Sequence, residues 1–250
     1  MLALGLIVVS AMGGRAVAAP VNLVTNGNFT STSVTGNGGF LCANTGGYTC
    51  NSQLSGWSST CATGGCVGTT TPSSILIAGT NGAGWNGGFG LYWNNIGDPP
   101  AGGNTVAIDG DPQYTSVLSQ TISGLQTGHT YMLTFYQAAS QQVGLSGATT
   151  EQWSVSLGGG ASQVSTLMNT PSQGSHGWMQ VTMSFVATAA SEALQFVALG
   201  TPAGEPPVCL LGDVSLFDNT PAAVTEPATL ALVAVGLLGM IVVRRRSNAA

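Results

Sequence analysis

Met179-Gln180-Val181-Thr182-Met183-Ser184-Phe185 decides the fold class. In an extended chain Met179, Val181, Met183 and Phe185 fall on one side, and Gln180, Thr182 and Ser184 on the other. A strict two-residue period marks a half-buried strand, because the apolar positions of a helix recur every three or four residues instead. On either side of this stretch the same alternation predicts strands at Thr105 to Ile108, Val117 to Ile122, Thr130 to Gln137, Gln152 to Leu157, Ala193 to Leu199 and Leu210 to Phe217. Turn signals separate them, among them Ser123-Gly124-Leu125-Gln126-Thr127-Gly128 and Gly158-Gly159-Gly160. No amphipathic helical pattern precedes residue 228. The expected fold is all-β, an antiparallel β-sandwich of the jelly-roll kind.

Charge narrows the function. The chain holds four Lys and Arg residues in all, and they are Arg15, Arg244, Arg245 and Arg246. Between Ala19 and Thr225 there is no cation, while Asp98, Asp109, Asp111, Glu151, Glu192, Glu205, Asp213 and Asp218 supply carboxylates. Such a domain cannot pair with phosphates, which excludes nucleic acid as a partner and removes electrostatic attraction to anionic lipid. Neutral ligands remain. Solubility must come from Ser, Thr, Asn, Gln and Gly, a composition common in secreted proteins that lie in a polymer matrix.

The two ends read as processing segments. Leu2 to Met12 is apolar and of signal-peptide length, and Ala16-Val17-Ala18 offers a small-x-small pattern before a cut at Ala19, so residues 1–18 are expected to be a signal peptide. No Lys or Arg precedes that run and Arg15 follows it, so a natural start upstream of Met1 is an open expectation. At the other end Thr225-Glu226-Pro227 precedes an uncharged apolar run, 228–243, and then Arg244, Arg245 and Arg246. Arginines stay on the cytoplasmic side of a bilayer, so this order places the preceding chain outside the cytoplasm. The tail, residues 225–246, resembles that of bacterial PEP-CTERM proteins. The resemblance implies a Gram-negative host, transient residence of a transmembrane helix in the inner membrane, and recognition by the protease exosortase. It further implies cleavage near Glu226-Pro227 and association with extracellular polysaccharide. Thr225 stands where the motif's first Pro would be, which leaves the cleavage point open. The competing reading is a permanent single-span anchor. Sixteen apolar residues rise only about 24 Å as a helix, against a hydrocarbon core of about 30 Å, and this favours a transient signal.

Residues 31–100 are rich in Gly, Asn, Ser and Thr, with Ser74 to Ala78 and Phe89 to Trp93 the best strand candidates. Long loops are expected there. Four of the five cysteines, Cys42, Cys50, Cys61 and Cys66, lie in this segment, and export makes disulfides the leading reading. Cys42 with Cys50 and Cys61 with Cys66 are the expected pairs, and the other pairings stay open from spacing. Closing such short loops contributes roughly 2 to 3 kcal/mol each by the chain-entropy model. Cys209, beside Leu210 and Leu211, is expected as a buried thiol at the start of a core strand. No CxxC spacing or clustered His supports a zinc site.

The 19–220 segment carries a second resemblance. Asn22-Leu23-Val24-Thr25-Asn26-Gly27-Asn28-Phe29 with Gly56-Trp57 is similar to the opening of galactose-binding-like jelly rolls, and Leu211-Gly212-Asp213-Val214-Ser215-Leu216 to their closing strand. Val106 to Asp111, Leu118 to Ile122 and Tyr131 to Phe135 are similar to middle strands of carbohydrate-binding modules of that superfamily. In many such modules calcium is held by a Glu after the Phe and an Asp of the final strand. Here Phe29 is followed by Thr30, and Asp213 alone occupies a matching position, so structural calcium is an open expectation and no other cofactor is implied. The Asp109-Gly110-Asp111 turn reads rather as a solvated acidic loop.

Sugar recognition uses aromatic faces with amide and carboxylate groups nearby. Trp85, Tyr92, Trp93, Asn94, Asp109, Asp111 and Tyr114 form the candidate set, the competing reading being that the aromatics cover the sandwich ends. Trp57, Trp153 and Trp178 are expected in the core. A polar cluster around Ser140, Gln141, Gln142, Thr149, Thr150, Glu151 and Gln152 suggests no mechanism. Nothing nominates a catalyst. There is no GxSxG, no carboxylate pair is singled out, and His129 and His176 are expected in turns. The favoured function is therefore non-catalytic: an exported surface or exopolysaccharide-matrix protein that binds neutral carbohydrate. The alternatives are a structural or adhesion protein without a glycan ligand, a polysaccharide hydrolase, and an ice-binding protein, the last lacking Thr-x-Thr ladders.

Overall fold

The computed structural model describes residues 20–33, 38–41, 50–51, 54–62, 74–77, 90–92 and 96–221. Among them are thirteen strands and no helix, and every strand pairing is antiparallel. The strands form two sheets. The first runs in the order β1 (Gly38–Phe40), β4 (Ser74–Ile77), β5 (Thr105–Asp109), β13 (Pro207–Asp218), β7 (Thr130–Gln141), β11 (Ser175–Val186). The second runs β10 (Met168–Thr170), β8 (Thr149–Leu157), β12 (Ser191–Thr201), β6 (Ser116–Ser123), β3 (Ser58–Cys61), β2 (Cys50–Asn51), with β9 (Gln163–Val164) also on β8. The expected all-β sandwich is the observed one.

Alternation packs the core between the sheets. Along β8, Trp153, Val155 and Leu157 are buried while Gln152, Ser154 and Ser156 are half-buried on the far side. Leu194, Phe196 and Ala198 of β12 and Leu133 and Phe135 of β7 close on them. Phe196 stands at the centre, its ring centroid 5.3 Å from Phe135, 6.0 Å from Trp153 and 6.2 Å from Trp57, and Phe29 meets Trp57 at 5.4 Å. Edge-to-face pairs of this kind add about 0.5 to 1.5 kcal/mol each beyond their buried area.

The deciding stretch behaves as its period requires at Val181, Met183 and Phe185, which are buried. Met179 is only half-buried, because the β11 to β7 register shifts between His176 and Met179. The same bulge turns Trp178 away from the core. It was expected inside with Trp57 and Trp153, but it lies half-buried against a second apolar cluster on the outer side of the first sheet. His176 lies in β11 and not in a turn, whereas His129 does occupy the turn before β7, its N–H donating to Gln126 O.

The segment from Asn22 to Phe29 is not a strand. Asn26 and Phe29 take φ of 52° and 58°, and the chain turns. Asn22 Oδ1 takes the place of a ladder partner, accepting from the Val24 and Leu216 N–H groups at 3.1 and 2.9 Å. Phe89 to Trp93 was also expected to be a strand. Its described part, residues 90–92, contributes only an isolated bridge between Leu91 and Gln142. Cys209 is free and fully buried, near the start of β13. Burial pushes its thiol well above the usual range, and the Glu151 charge adds to this. Cys61 is disulfide-bonded. The side chains of Cys42, Cys50 and Cys66 lie outside the described residues, as do the signal-peptide and sorting segments.

Candidate functional site: the outer face of the first sheet

A domain without cations must satisfy its buried carboxylates by other means. Asp109 and Asp111, expected at a solvated or sugar-binding surface, are 3% and 1% exposed. Asp109 Oδ1 accepts the Asp111 N–H at 2.8 Å. Asp111 Oδ1 accepts from Gln113 N and Oδ2 from Gly204 N, which staples the turn after β5 to the 201–207 loop. Glu151 is fully buried and accepts from the Thr149 and Thr170 hydroxyls. Glu192 Oε1 accepts from Thr188 N and Ala189 N and holds the β11 to β12 turn. Asp111 and Glu192 thus fasten loops, and Glu151 ties β8 to its neighbour β10. Burial pushes Asp109 to about 7, against the Asp111 N–H and helped by the Asp111 charge, and pushes Glu151 to about 7 against its two hydroxyl donors. Groups sealed in this way cannot reach a sugar, so Asp109 and Asp111 leave the candidate set.

The other predicted residues divide. Tyr92 is half-buried and fixed to the end of β7, its N–H donating to Gln141 O and its carbonyl accepting the Ser140 hydroxyl. Tyr114, 38% exposed, belongs to the turn after β5, with its N–H on Asp111 O. Trp85, Trp93 and Asn94 lie outside the described residues. The polar cluster without a stated mechanism proves structural in part: Gln141 Nε2 donates to Gly147 O and its Oε1 accepts from Gln173 N, tying two loops together.

The aromatic platform lies elsewhere. Outward positions of the first sheet are Met132, Thr134 and Tyr136 on β7, Ser215 and Phe217 on β13, and Trp178, Gln180 and Thr182 on β11. Tyr136 pairs with Gly212 on one side and Gln180 on the other. Gly212 is needed here, because a Cβ would lie 2.7 Å from Pro99 Cβ and 3.5 Å from the Trp178 ring. Trp178 therefore lies over Gly212 and donates its indole N–H to Gly97 O at 3.2 Å. Below it Leu91 and Ile96 pack on Ala107, Ala138, Val208 and Leu210 and cover that end of the face, while Tyr136 stays half-buried. The Thr134 and Ser215 hydroxyls pair at 2.6 Å next to the aromatic row. Two half-buried rings, an amide and hydroxyls on an uncharged face can hold a neutral sugar by its apolar side and its hydroxyls. Sequence reasoning placed Trp178 in the core because the bulge between His176 and Met179 was not visible in it, whereas the outward place of Tyr136 follows from the two-residue period of β7 and was legible.

Asp213, the calcium candidate, takes φ of 53° at the β13 irregularity. Its Oδ2 accepts the Ala101 N–H at 2.8 Å, its Oδ1 is buried without a partner, and burial raises its carboxyl above the usual range. Among the described residues no group of three His, Cys, Asp or Glu could hold a metal. One carboxylate already engaged by an N–H donor does not make a hard-cation site.

The sandwich is similar to solved carbohydrate-binding modules. TmCBM61 in complex with β-1,4-galactotriose is 14% identical, with 80% of this chain and 99% of that one covered at a TM-score of 0.41. The CBM22-1 xylan-binding domain from Paenibacillus barcinonensis Xyn10C is 10% identical, with 83% and 100% covered at 0.40. The N-terminal cellulose-binding domain from Cellulomonas fimi β-1,4-glucanase C is 20% identical, with 47% and 79% covered at 0.29. No curated protein matches the sequence. Residues 223–246 match the PEP-CTERM protein-sorting motif. The chain thus carries the signal of an exported, exosortase-processed cell-surface protein at its C-terminus.

Proposed function

We propose that this protein is a non-catalytic component of the cell surface or exopolysaccharide matrix that holds neutral polysaccharide on the outer face of its first sheet. The observation that carries this reading is a PEP-CTERM motif at 223–246 behind a domain with no Lys or Arg from Ala19 to Thr225. Residues 1–18 direct export, residues 19–220 form the sandwich, and residues 225–246 pass through the inner membrane until exosortase cuts near Glu226-Pro227. In the oxidising compartment Cys42 pairs with Cys50 and Cys61 with Cys66. Tyr136 and Trp178 supply the apolar contact and Gln180 and Thr182 the polar one, with Tyr92 and Trp93 as further aromatic candidates from the sequence.

Affinity gels cast with soluble β-glucan, galactan or xylan test the ligand claim on the full chain. Retention by at least one of these polymers is expected, with Tyr136→Ala or Trp178→Ala weakening it about tenfold, near 1.4 kcal/mol. Trp93→Ala tests the aromatic candidate named from the sequence alone. No retention on any neutral polymer leaves a structural or adhesion protein, and release of reducing ends from any of them would make it a hydrolase.

A further inference from the structure

The opposite face of the molecule carries a groove that the aromatic platform does not use. It measures about 900 Å³ and runs between the 31–33 and 54–57 loops and the outer side of β3, β6 and β12. The volume falls in the upper part of the roughly 300 to 1,000 Å³ range of ligand sites. Its lining contains no charge. Ser31, Ser55, Ser58, Ser119 and Thr121 contribute hydroxyls, and Trp57, anchored in the core, borders the groove.

The walls are built rigidly. Asn26 Nδ2 donates to both Ser31 O and Ser55 O at 3.0 Å, and Asn26 Oδ1 accepts the Ser31 N–H at 2.9 Å. Ser55 N donates to Ser31 O, and the Trp57 indole donates to Asn26 O. Gln120 joins the groove floor to the N-terminal segment through both its amide atoms, on Thr25 N and Thr25 O at 2.8 Å. A site fixed before binding loses little on ordering. The same sheet face continues across Val197 to a second hollow of about 330 Å³ near Thr150 and Leu199, again lined without charge. Two uncharged hollows on one sheet face suit a polymer better than a single sugar.

We infer that this groove is a second binding site for a neutral polysaccharide chain, so that one domain, holding a chain on each outer face, cross-links the polymer. The inference rests on the reading of the first face given above. The two sites face away from each other because the sheets pack back to back. No covalent step is involved.

The test uses the full chain with Thr121→Arg and Ser58→Arg for the groove and Trp178→Ala and Tyr136→Ala for the platform. Gel retention and the viscosity of a dilute solution of whichever neutral polymer retains the wild type are measured, and thermal melts confirm folding. Wild type is expected to raise the viscosity at substoichiometric amounts. Each single-face variant should keep partial retention, weakened about threefold to tenfold, and lose the viscosity increase, and a groove-plus-platform double variant should lose retention. Groove variants that retain and thicken the polymer like wild type would overturn the groove and leave the platform standing. A wild type retained by no polymer would overturn the first reading and this one together.

Discussion

The two outer faces of the sandwich are built from similar strands and end differently. On the first sheet Leu210, Val208, Ala107 and Ala138 point outward as apolar residues and are roofed by Leu91 and Ile96. On the second the outward positions Ser58, Ser119, Gln195, Ser156 and Ser154 are polar, and Val117 and Val197 are half-buried and belong to no apolar cluster among the described residues. The difference shows that an outward apolar residue on a strand is a request for cover, while an outward hydroxyl leaves the face free for a ligand. The outward positions named on both faces lack charge, and the buried carboxylates lie off them, Asp111 and Glu192 holding turns and Glu151 on the inward side of β8.

That last contrast can be broken most strongly with pH. Asp109 and Glu151 are raised from 3.8 and 4.5 to about 7 in the fold. The folded protein therefore binds more protons than the unfolded chain between about pH 4 and pH 7, and its stability is full below pH 4 and falls as pH rises through 7. The loss is on the order of 3 kcal/mol for each carboxylate. Urea melts from pH 4 to pH 8 should show the decline, and Glu151→Gln should remove its share. Polysaccharide retention, governed by uncharged faces, should stay level over pH 5 to 8 as long as the protein is folded. A stability that rises with pH across this window would refute the assignment.

A smaller effect sharpens the difference between the faces themselves. Leu210→Ala removes a fully buried side chain beneath the roof and should cost about 2 to 5 kcal/mol in a urea melt. Val197→Ala, half-buried on the outer face of the second sheet, should cost less than about 1 kcal/mol. Equal costs would mean that Leu91 and Ile96 cover nothing of consequence. The smallest effect concerns His129 and Asp218, which pair at 2.7 Å with side chains 33% and 37% exposed. Exposed pairs contribute little, so His129→Ala should shift stability by less than about 1 kcal/mol, and high salt should shrink even that.

Much of this architecture is legible in the chain. Wherever one strand face is buried, the alternation of residues such as Val181, Met183 and Phe185 states both the strand and its inward side. β1 and β2 escaped notice because three and two residues are too few to show a period, and the four-residue β3, Ser58-Ser59-Thr60-Cys61, because it lacks the apolar residues that marked β4 at the same length. Asn22 to Phe29 reads as an opening strand only by its resemblance to galactose-binding-like jelly rolls, whereas Asn side-chain bonds and left-handed turns hold it in the fold. The site was less legible than the fold. Asp109 and Asp111 read as surface because acids usually are, and only the backbone N–H groups of Asp111, Gln113 and Gly204 explain their burial. Trp178 read as core because the bulge that exposes it follows a glycine, Gly177, whose effect on register has no signature in the sequence.

The central claim is that a cation-free sandwich is delivered outside the cell by the tail that follows it. Cells with and without exosortase should be fractionated and the mass of the extracellular species measured. The account predicts a product outside the cell that ends at about Thr225 when exosortase is present, and uncut chain held in the membrane when it is absent. An extracellular product that still carries Arg244, Arg245 and Arg246, or a chain recovered in the cytosol with reduced thiols, would contradict it.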